Sequence, residues 1–220
     1  MNFPDFKFEK KLHKKGFRII AGVDEVGRGC FAGPVVAGCV AFTSDFNFQI
    51  PDSVRINDSK KLTEKKRVVA DKWIRRNAFA YGIGVASVFQ INRLGIKKAS
   101  EIAFRKAIKN CKVEINYLLI DAFYVPYVRG LRRKNQKPII KGDTKSISIA
   151  AASIIAKVYR DNLMMVLSKK PKFKNYGWGK NKGYGTEKHR NAIKKYGLTR
   201  QHRKAFVETW INNSSSSRVR

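Results

Sequence analysis

The chain has 220 residues, with 47 Lys or Arg against 16 Asp or Glu, for a formal net charge of +31. That length suits one domain or one domain with an appendage, and 43% hydrophobic with 11% aromatic content supplies a buried core, which excludes a wholly disordered chain. So large a positive excess goes beyond what solubility requires and points to a polyanionic partner. Nucleic acid fits better than a membrane surface, because no basic amphipathic helix with a clean aromatic face and no lipidation motif is present.

No apolar run reaches the roughly 18 residues of a spanning helix, and the opening MNFPDFKFEKKLHKKGF lacks a signal-peptide core, so a cytoplasmic protein is expected. Cys30, Cys39 and Cys111 show no CxxC spacing, which argues for small buried hydrophobes rather than a disulfide framework or a zinc site. His13, His189 and His202 are too scattered in sequence to suggest a ligand cluster.

In chain order, Arg18 to Val23 reads as a buried strand that runs into Asp24-Glu25. Adjacent carboxylates after an apolar strand repel each other unless a cation or proton intervenes, which marks a candidate site; a hairpin with a solvated acidic turn is the alternative. Gly27-Arg28-Gly29 would let backbone approach a ligand closely, and Val35 to Phe42 forms a second strand. Thr43 to Asn57 reads as an irregular connection. Thr63 reads as the N-cap of a helix to about Arg76, with Val68, Val69 and Trp73 as its apolar face. Ala80 to Phe89 alternates as a third strand, Ile91 to Asn110 has near-helical apolar spacing, and Tyr117 to Ile120 is a short strand ending in Asp121. Tyr124 to Pro138 is basic and reads as exposed, and the apolar Pro138-Ile139-Ile140 then leads to Lys141-Gly142-Asp143.

Ser146 to Ser168 is apolar nearly all round and rich in small residues, which predicts a buried helix packed closely on a sheet. Asp143, just ahead of it, is either a helix cap or a site carboxylate. Lys172 to Thr186, KFKNYGWGKNKGYGT, is either a flexible linker or a loop that lays aromatic faces and cations against nucleic acid. Glu187 to Tyr196 and Gln201 to Trp210 read as two short helices. The expected organisation is a catalytic domain over 1–169, a loop and helical extension over 170–212 that completes the substrate site, and a disordered tail over 213–220.

Asp24, Glu25, Asp121 and Asp143 thus stand at the ends of buried elements in a chain with only 16 acids. A basic surface around an acidic pocket suits a metal-dependent enzyme on phosphodiesters, since carboxylates are the hard oxygen ligands that Mg²⁺ prefers. The sequence has no GxxxxGK[ST], GxSxG or HExxH motif.

The segments AGVDEVGRG at 21–29, AGPVVAG at 32–38, DSKKLT at 58–63, KGD at 141–143, SIAAASIIAKVYRD at 148–161 and GYGT at 183–186 together resemble the ribonuclease HII family, type 2 ribonuclease H. The resemblance spans most of residues 18 to 206. It implies an α/β fold, a ribonuclease H-like mixed sheet flanked by helices with a C-terminal helical extension. It also implies Mg²⁺- or Mn²⁺-dependent cleavage of RNA in RNA/DNA hybrids and at single ribonucleotides in duplex DNA. A monomer without a membrane partner is expected. Residue by residue, Asp24, Glu25, Asp121 and Asp143 match the family's metal-binding carboxylates. Gly27, Arg28 and Gly29 match its loop for the ribose 2′-hydroxyl, and Tyr184 its tyrosine against the next sugar. Asp161 falls outside the four and reads as helix structure. Ala122-Phe123 follow Asp121 where bacterial relatives usually have glycine. The GRG loop and the shortness of the segment before Asp24 favour ribonuclease HII over HIII. Two other readings are a different ribonuclease H-like nuclease or strand-transfer enzyme, which the GRG loop opposes, and a non-catalytic nucleic-acid-binding protein, which the placed acids oppose.

Overall fold

The computed structural model describes residues 3–46 and 49–216. Its apolar runs pair into one mixed sheet: β1 (Ile19–Val26), β2 (Val35–Thr43), β3 (Ala80–Ala86), β4 (Tyr117–Asp121) and β5 (Gln136–Ile139), in the order β3-β2-β1-β4-β5. β1 and β2, and β2 and β3, are antiparallel; β1 and β4, and β4 and β5, are parallel. The helices are α1 (Lys7–His13), α2 (Glu64–Asn77), α3 (Val88–Asn110), α4 (Ile147–Ser168), α5 (Trp178–Asn181), α6 (Glu187–Tyr196) and α7 (Lys204–Ser216). No described helix is long and apolar enough to cross a membrane.

Helix α3 covers one face of the sheet, where Ala103, Phe104 and Ala107 pack against Ala21, Val23, Cys39 and Leu118. The opposite face holds α4, with α2 behind it, through Ala151, Ala152, Ile154 and Ile155 against Val40, Phe42 and Ile74. The central strands are therefore buried on both sides, which is why they read as continuous apolar runs. Small residues let α4 come close. A Cβ on Gly22 would fall inside the Ser148 backbone, and one on Gly38 would meet the Ala152 carbonyl. The three cysteines are free and buried.

Several boundaries differ from expectation, each for a local reason. The third strand stops at Ala86, because Ser87 and Gln90 form a capping box that starts α3 earlier. In α2 the buried residues are Ala70, Asp71 and Ile74, while Val68 and Val69 are exposed; Thr63 is the N-cap as expected. The basic segment after β4 is not wholly exposed, since Val125, Leu131 and Gln136 are buried. Glu9 on α1 was not anticipated; it is buried and accepts from the Ser146 and Ser148 hydroxyls, both at 2.6 Å, and from Ser148 N–H at 3.0 Å. A carboxylate at a helix N-terminus is favourable, and this one anchors the start of α4. Helix α7 runs to Ser216, into the stretch expected as a tail, and residues 217–220 of that stretch lie outside the described residues.

The close approach of α4 is testable. Gly22→Ala must push α4 from β1 or bend the strand, and overpacking of this kind costs about 1–3 kcal/mol. Denaturant unfolding should show that loss, and an unchanged midpoint would contradict the packing.

Candidate active site

Asp24 and Glu25 lie inside β1 rather than beyond it, because pairing with β2 continues to Val26 opposite Val36. The ladder to β4 ends at Val23 opposite Ile120, which makes Asp24 and Asp121 the next residues on neighbouring strands. Alternation along β1 puts Asp24 on the face of Gly22, the face α4 covers, and Glu25 on the other. Asp143 sits in the single 3-10 turn Gly142–Thr144, entered through Lys141 in the left-handed region. Gly142 N–H donates to Asp121 Oδ1 at 2.8 Å and ties that turn to the end of β4. Asp143 is not the cap of α4: Ser146 is, its hydroxyl accepting from Ile149 N–H at 3.4 Å. Ala122, where the resemblance expects glycine, has φ +67°, the region that favours glycine.

The carboxylates feel one another. Burial, with Glu25, Asp121 and Asp143 nearby, pushes the Asp24 carboxyl well above the usual range, against a hydrogen bond from Glu25 N–H at 2.7 Å. Burial lifts Glu25 to about 7, opposed by Arg28, whose Nη1 lies 3.2 Å from Oε1, and helped by Asp121. Asp143 is raised by burial, then by Asp58 and Asp121, and lowered by Lys60. Asp58 and Lys60 of the DSKKLT segment thus face the site, a contribution that residue-level reasoning missed although the motif was visible. Among the described residues no set of three or more His, Cys, Asp or Glu is converged into a metal cage. The donor set nevertheless fits a hard divalent cation: it is all carboxylate, and burial with like charges nearby raises Asp24, Glu25 and Asp143 although Arg28 and Lys60 oppose the last two. Asp161 stands apart, paired with Lys157 at 2.9 Å and Arg67 at 3.9 Å, in keeping with a structural role.

The Gly27-Arg28-Gly29 loop follows directly. Gly27 has φ +94°, and a Cβ there would strike the Arg160 side chain. Gly29 has ordinary φ and nothing within 4 Å of where a Cβ would stand. Arg28 is exposed, with its guanidinium 5.3 Å from the Phe123 ring centroid. Two buried arginines clamp the loop to the C-terminal extension. Arg203 donates to the carbonyls of Arg28 at 2.7 Å and Gly33 at 2.9 Å, and Arg160 to those of Pro34 at 3.0 Å, Ala32 at 3.1 Å and Lys182 at 2.9 Å. Gly183 carbonyl accepts from Phe31 and Ala32 N–H, so the GYGT turn and the loop share one backbone junction.

The glycine-rich stretch is neither a linker nor an open aromatic surface. Phe173, Tyr176 and Trp178 are buried in a small core with Met164, Ile193 and Val207, and Tyr184, 36% exposed, is the aromatic of that stretch left at the surface. Its ring lies 5.7 Å from Lys157 Nζ. Beneath it His189 and His202, apart in sequence, come together. His189 Nδ1 lies 2.8 Å from the Tyr184 carbonyl, and its Nε2 accepts from Trp178 Nε1–H at 3.0 Å and sits 3.2 Å from His202 Nε2. Thr199 N–H donates to His202 Nδ1 at 2.8 Å, so His202 carries its proton on Nε2 and His189 on Nδ1. The pair is an uncharged structural chain and not a ligand set. Burial lowers His189, and burial together with His189 lowers His202 to about 4.

Two outcomes follow from these charges. For Asp24, Glu25 and Asp143 the folded pKa is raised, so the contribution of Glu25 to stability is full below its usual value of 4.5 and is lost as pH rises through about 7. Asp24→Asn should therefore stabilise the metal-free protein at neutral pH. A divalent cation at about 100 times its Kd should raise the wild-type Tm by about 5–10 °C and the variant's by much less. Equal shifts in both would contradict the cluster as the cation site. For His202 the sign is opposite: stability is lost as pH falls from about 6.5 towards 4, and an NMR titration should place its protonation near 4. A midpoint near 6.5 would contradict the buried chain.

The family model described as Ribonuclease HII matches residues 21–212. The chain is 47% identical over 201 residues to the ribonuclease HII of Caldanaerobacter subterraneus subsp. tengcongensis, covering 91% of this chain and 79% of that protein. The structure is similar to that of ribonuclease H2 from Pyrococcus horikoshii OT3, with a TM-score of 0.69, 23% identity, and coverage of 87% of this chain and 96% of that one. It is also similar to Bst-RNase HIII solved in complex with Mn²⁺, with a TM-score of 0.63, 21% identity, and coverage of 84% and 65%. The chain belongs to the ribonuclease HII family and is a ribonuclease H nuclease acting on RNA/DNA hybrids.

Proposed function

We propose that this nuclease incises duplex DNA on the 5′ side of a single embedded ribonucleotide, as well as the RNA strand of hybrids, leaving 3′-hydroxyl and 5′-phosphate ends. The observation that carries the reading is Gly29. Of the 16 glycines it alone has neither a positive φ nor a neighbour that a side chain would meet, so its bareness serves something outside the protein. Backbone groups of Gly27 and Gly29, held by the Arg203 and Arg160 clamps, can then reach a minor groove, where the 2′-hydroxyl distinguishes RNA from DNA. Arg28 is tethered to Glu25, which links recognition of the ribose to the acid cluster. Tyr184 would pack on the following sugar, favouring deoxyribose there.

Asp24, Glu25, Asp121 and Asp143 would hold the Mg²⁺ or Mn²⁺ ions, a fit supported by the desolvation and mutual repulsion that raise Asp24, Glu25 and Asp143, and by the Mn²⁺ complex of the related HIII enzyme. When bound, two such ions supply activation of the attacking water and stabilisation of the leaving 3′ oxygen in an in-line displacement. Lys60, beside Asp143, and the surrounding lysines and arginines hold the phosphate backbone against an otherwise repulsive carboxylate site. All these residues lie on one chain, so the reading needs no second copy.

The test is a duplex carrying one ribonucleotide, incubated with and without Mg²⁺, with the product ends mapped. Incision 5′ to the ribonucleotide is expected, with the all-deoxy duplex cut about 10⁴–10⁵-fold more slowly because site groups made for the hydroxyl stay unpaired. Asp24→Asn and Asp143→Asn should abolish most turnover while duplex binding persists. Gly29→Ala should fold normally yet lose this discrimination, and Tyr184→Ala should impair cutting at an RNA-DNA junction more than within continuous RNA. Cleavage confined to long hybrids would overturn the single-ribonucleotide reading.

A further inference from the structure

The basic stretch after β4 has no part in the site described so far, yet the structure builds it into a cleft. Together with α3 it encloses about 640 Å³, and the lining begins at the acid cluster: Phe123 is two residues beyond Asp121, and Arg28 is the cation paired with Glu25. We propose that this cleft is a second contact surface for the substrate, gripping the phosphate backbone of the duplex that flanks the cleaved bond. The inference rests on the nucleic-acid reading of the neighbouring acid site.

Charge is the first argument. Arg28, Lys97 and Arg133 face a single acid, Glu101, across the cleft. Among the described residues neither Lys97 nor Arg133 has a carboxylate partner within 4.0 Å. Geometry is the second. The Arg133 guanidinium lies 4.6 Å from the Tyr124 ring centroid, backed by an aromatic ring instead of a carboxylate, and Arg28, besides its pairing with Glu25, lies over Phe123, an arrangement suited to phosphate.

The cleft is also preformed. Buried Gln136 bonds the Val125 backbone in both directions, accepting from its N–H and donating to its carbonyl, each at 3.1 Å, and Arg105 Nη1 donates to the Pro126 carbonyl at 3.1 Å. A loop pinned by side chains at successive backbone positions is held in one shape before any ligand arrives. The track continues outward. A second cavity of about 510 Å³ shares Tyr127, Val128 and Leu131 with the first and adds Arg105, Lys109, Lys112 and Arg129, against Glu114. Tyr127 stands 92% exposed between them. Lone positive side chains are ordinary on so basic a surface, but a continuous, pinned, aromatic-backed run leading from the acid cluster matches an extended polyanion.

The test compares Lys97→Ala/Arg133→Ala with wild type on two duplexes carrying the same single ribonucleotide, one of about 30 base pairs and one trimmed to a few pairs on either side of it. On the long duplex the variant's KM should rise about tenfold or more, and the slope of log affinity against log salt should fall by about 1.8, at 0.9 for each phosphate that is no longer neutralised. On the trimmed duplex the two proteins should have the same KM. Arg133→Lys with Lys97 intact should restore the salt slope, and Glu101→Gln should tighten the long duplex, a gain that misfolding could not produce. Unchanged KM and slope on the long duplex, or equal losses on both lengths, would overturn the proposal. An inactive wild type would overturn the catalytic reading instead, and fluorescence anisotropy of the uncut duplexes would still decide the cleft by the same comparison.

Discussion

Helix α4 presses on the sheet with no side chain intervening at Gly22 and Gly38, and the rest of the site takes its position from that contact. The same helix meets the other glycines around the site. Ile149 occupies the space a Cβ on Gly142 would need, Arg160 that of Gly27, and Met164 that of Gly33, while a Cβ on Gly183 would meet the Ala32 carbonyl first and Met164 Cε at 3.1 Å. One buried helix therefore sets the height of the strand carrying Asp24, the turn carrying Asp143, the Gly27–Gly29 loop and the turn carrying Tyr184. Because these glycines accept almost no added volume, displacement of α4 is felt at every one of them.

Electrostatics works against this packing rather than with it. In a chain of +31, burial still raises the pKa values of Asp24 and Glu25, the latter against its ion pair with Arg28. The fold stabilises the arrangement elsewhere, with the Arg160 and Arg203 clamps on backbone carbonyls and the neutral Trp178–His189–His202 chain under Tyr184. The C-terminal extension is thus part of the site's framework, and it reaches the acid cluster through the Gly27–Gly29 loop.

The sequence made β1, β2, β4 and α4 legible because each is buried on both faces or all round, and such elements announce themselves by composition alone. The four carboxylates were legible for the same reason, as charge at the ends of apolar runs. What escaped depended on contacts distant in sequence. Glu9 is buried only because α1 folds onto Ser146 and Ser148, more than a hundred residues away. Phe173, Tyr176 and Trp178 look like an exposed aromatic loop until α6 and α7 cover them, and His189 and His202 meet only within that small core. The early start of α3 was different: Ser87 and Gln90 carried a local capping signal, and the alternation of the preceding strand masked it.

We propose that the acids at the ends of β1 and β4 and in the turn before α4 form a divalent-cation centre. Anomalous diffraction from crystals soaked in Mn²⁺ tests it most directly. Peaks bounded by Asp24, Asp121 and Asp143, with Glu25 on the far side, are the expected result; saturation with Mn²⁺ that left this cluster without a peak, or placed the ion elsewhere, would contradict it.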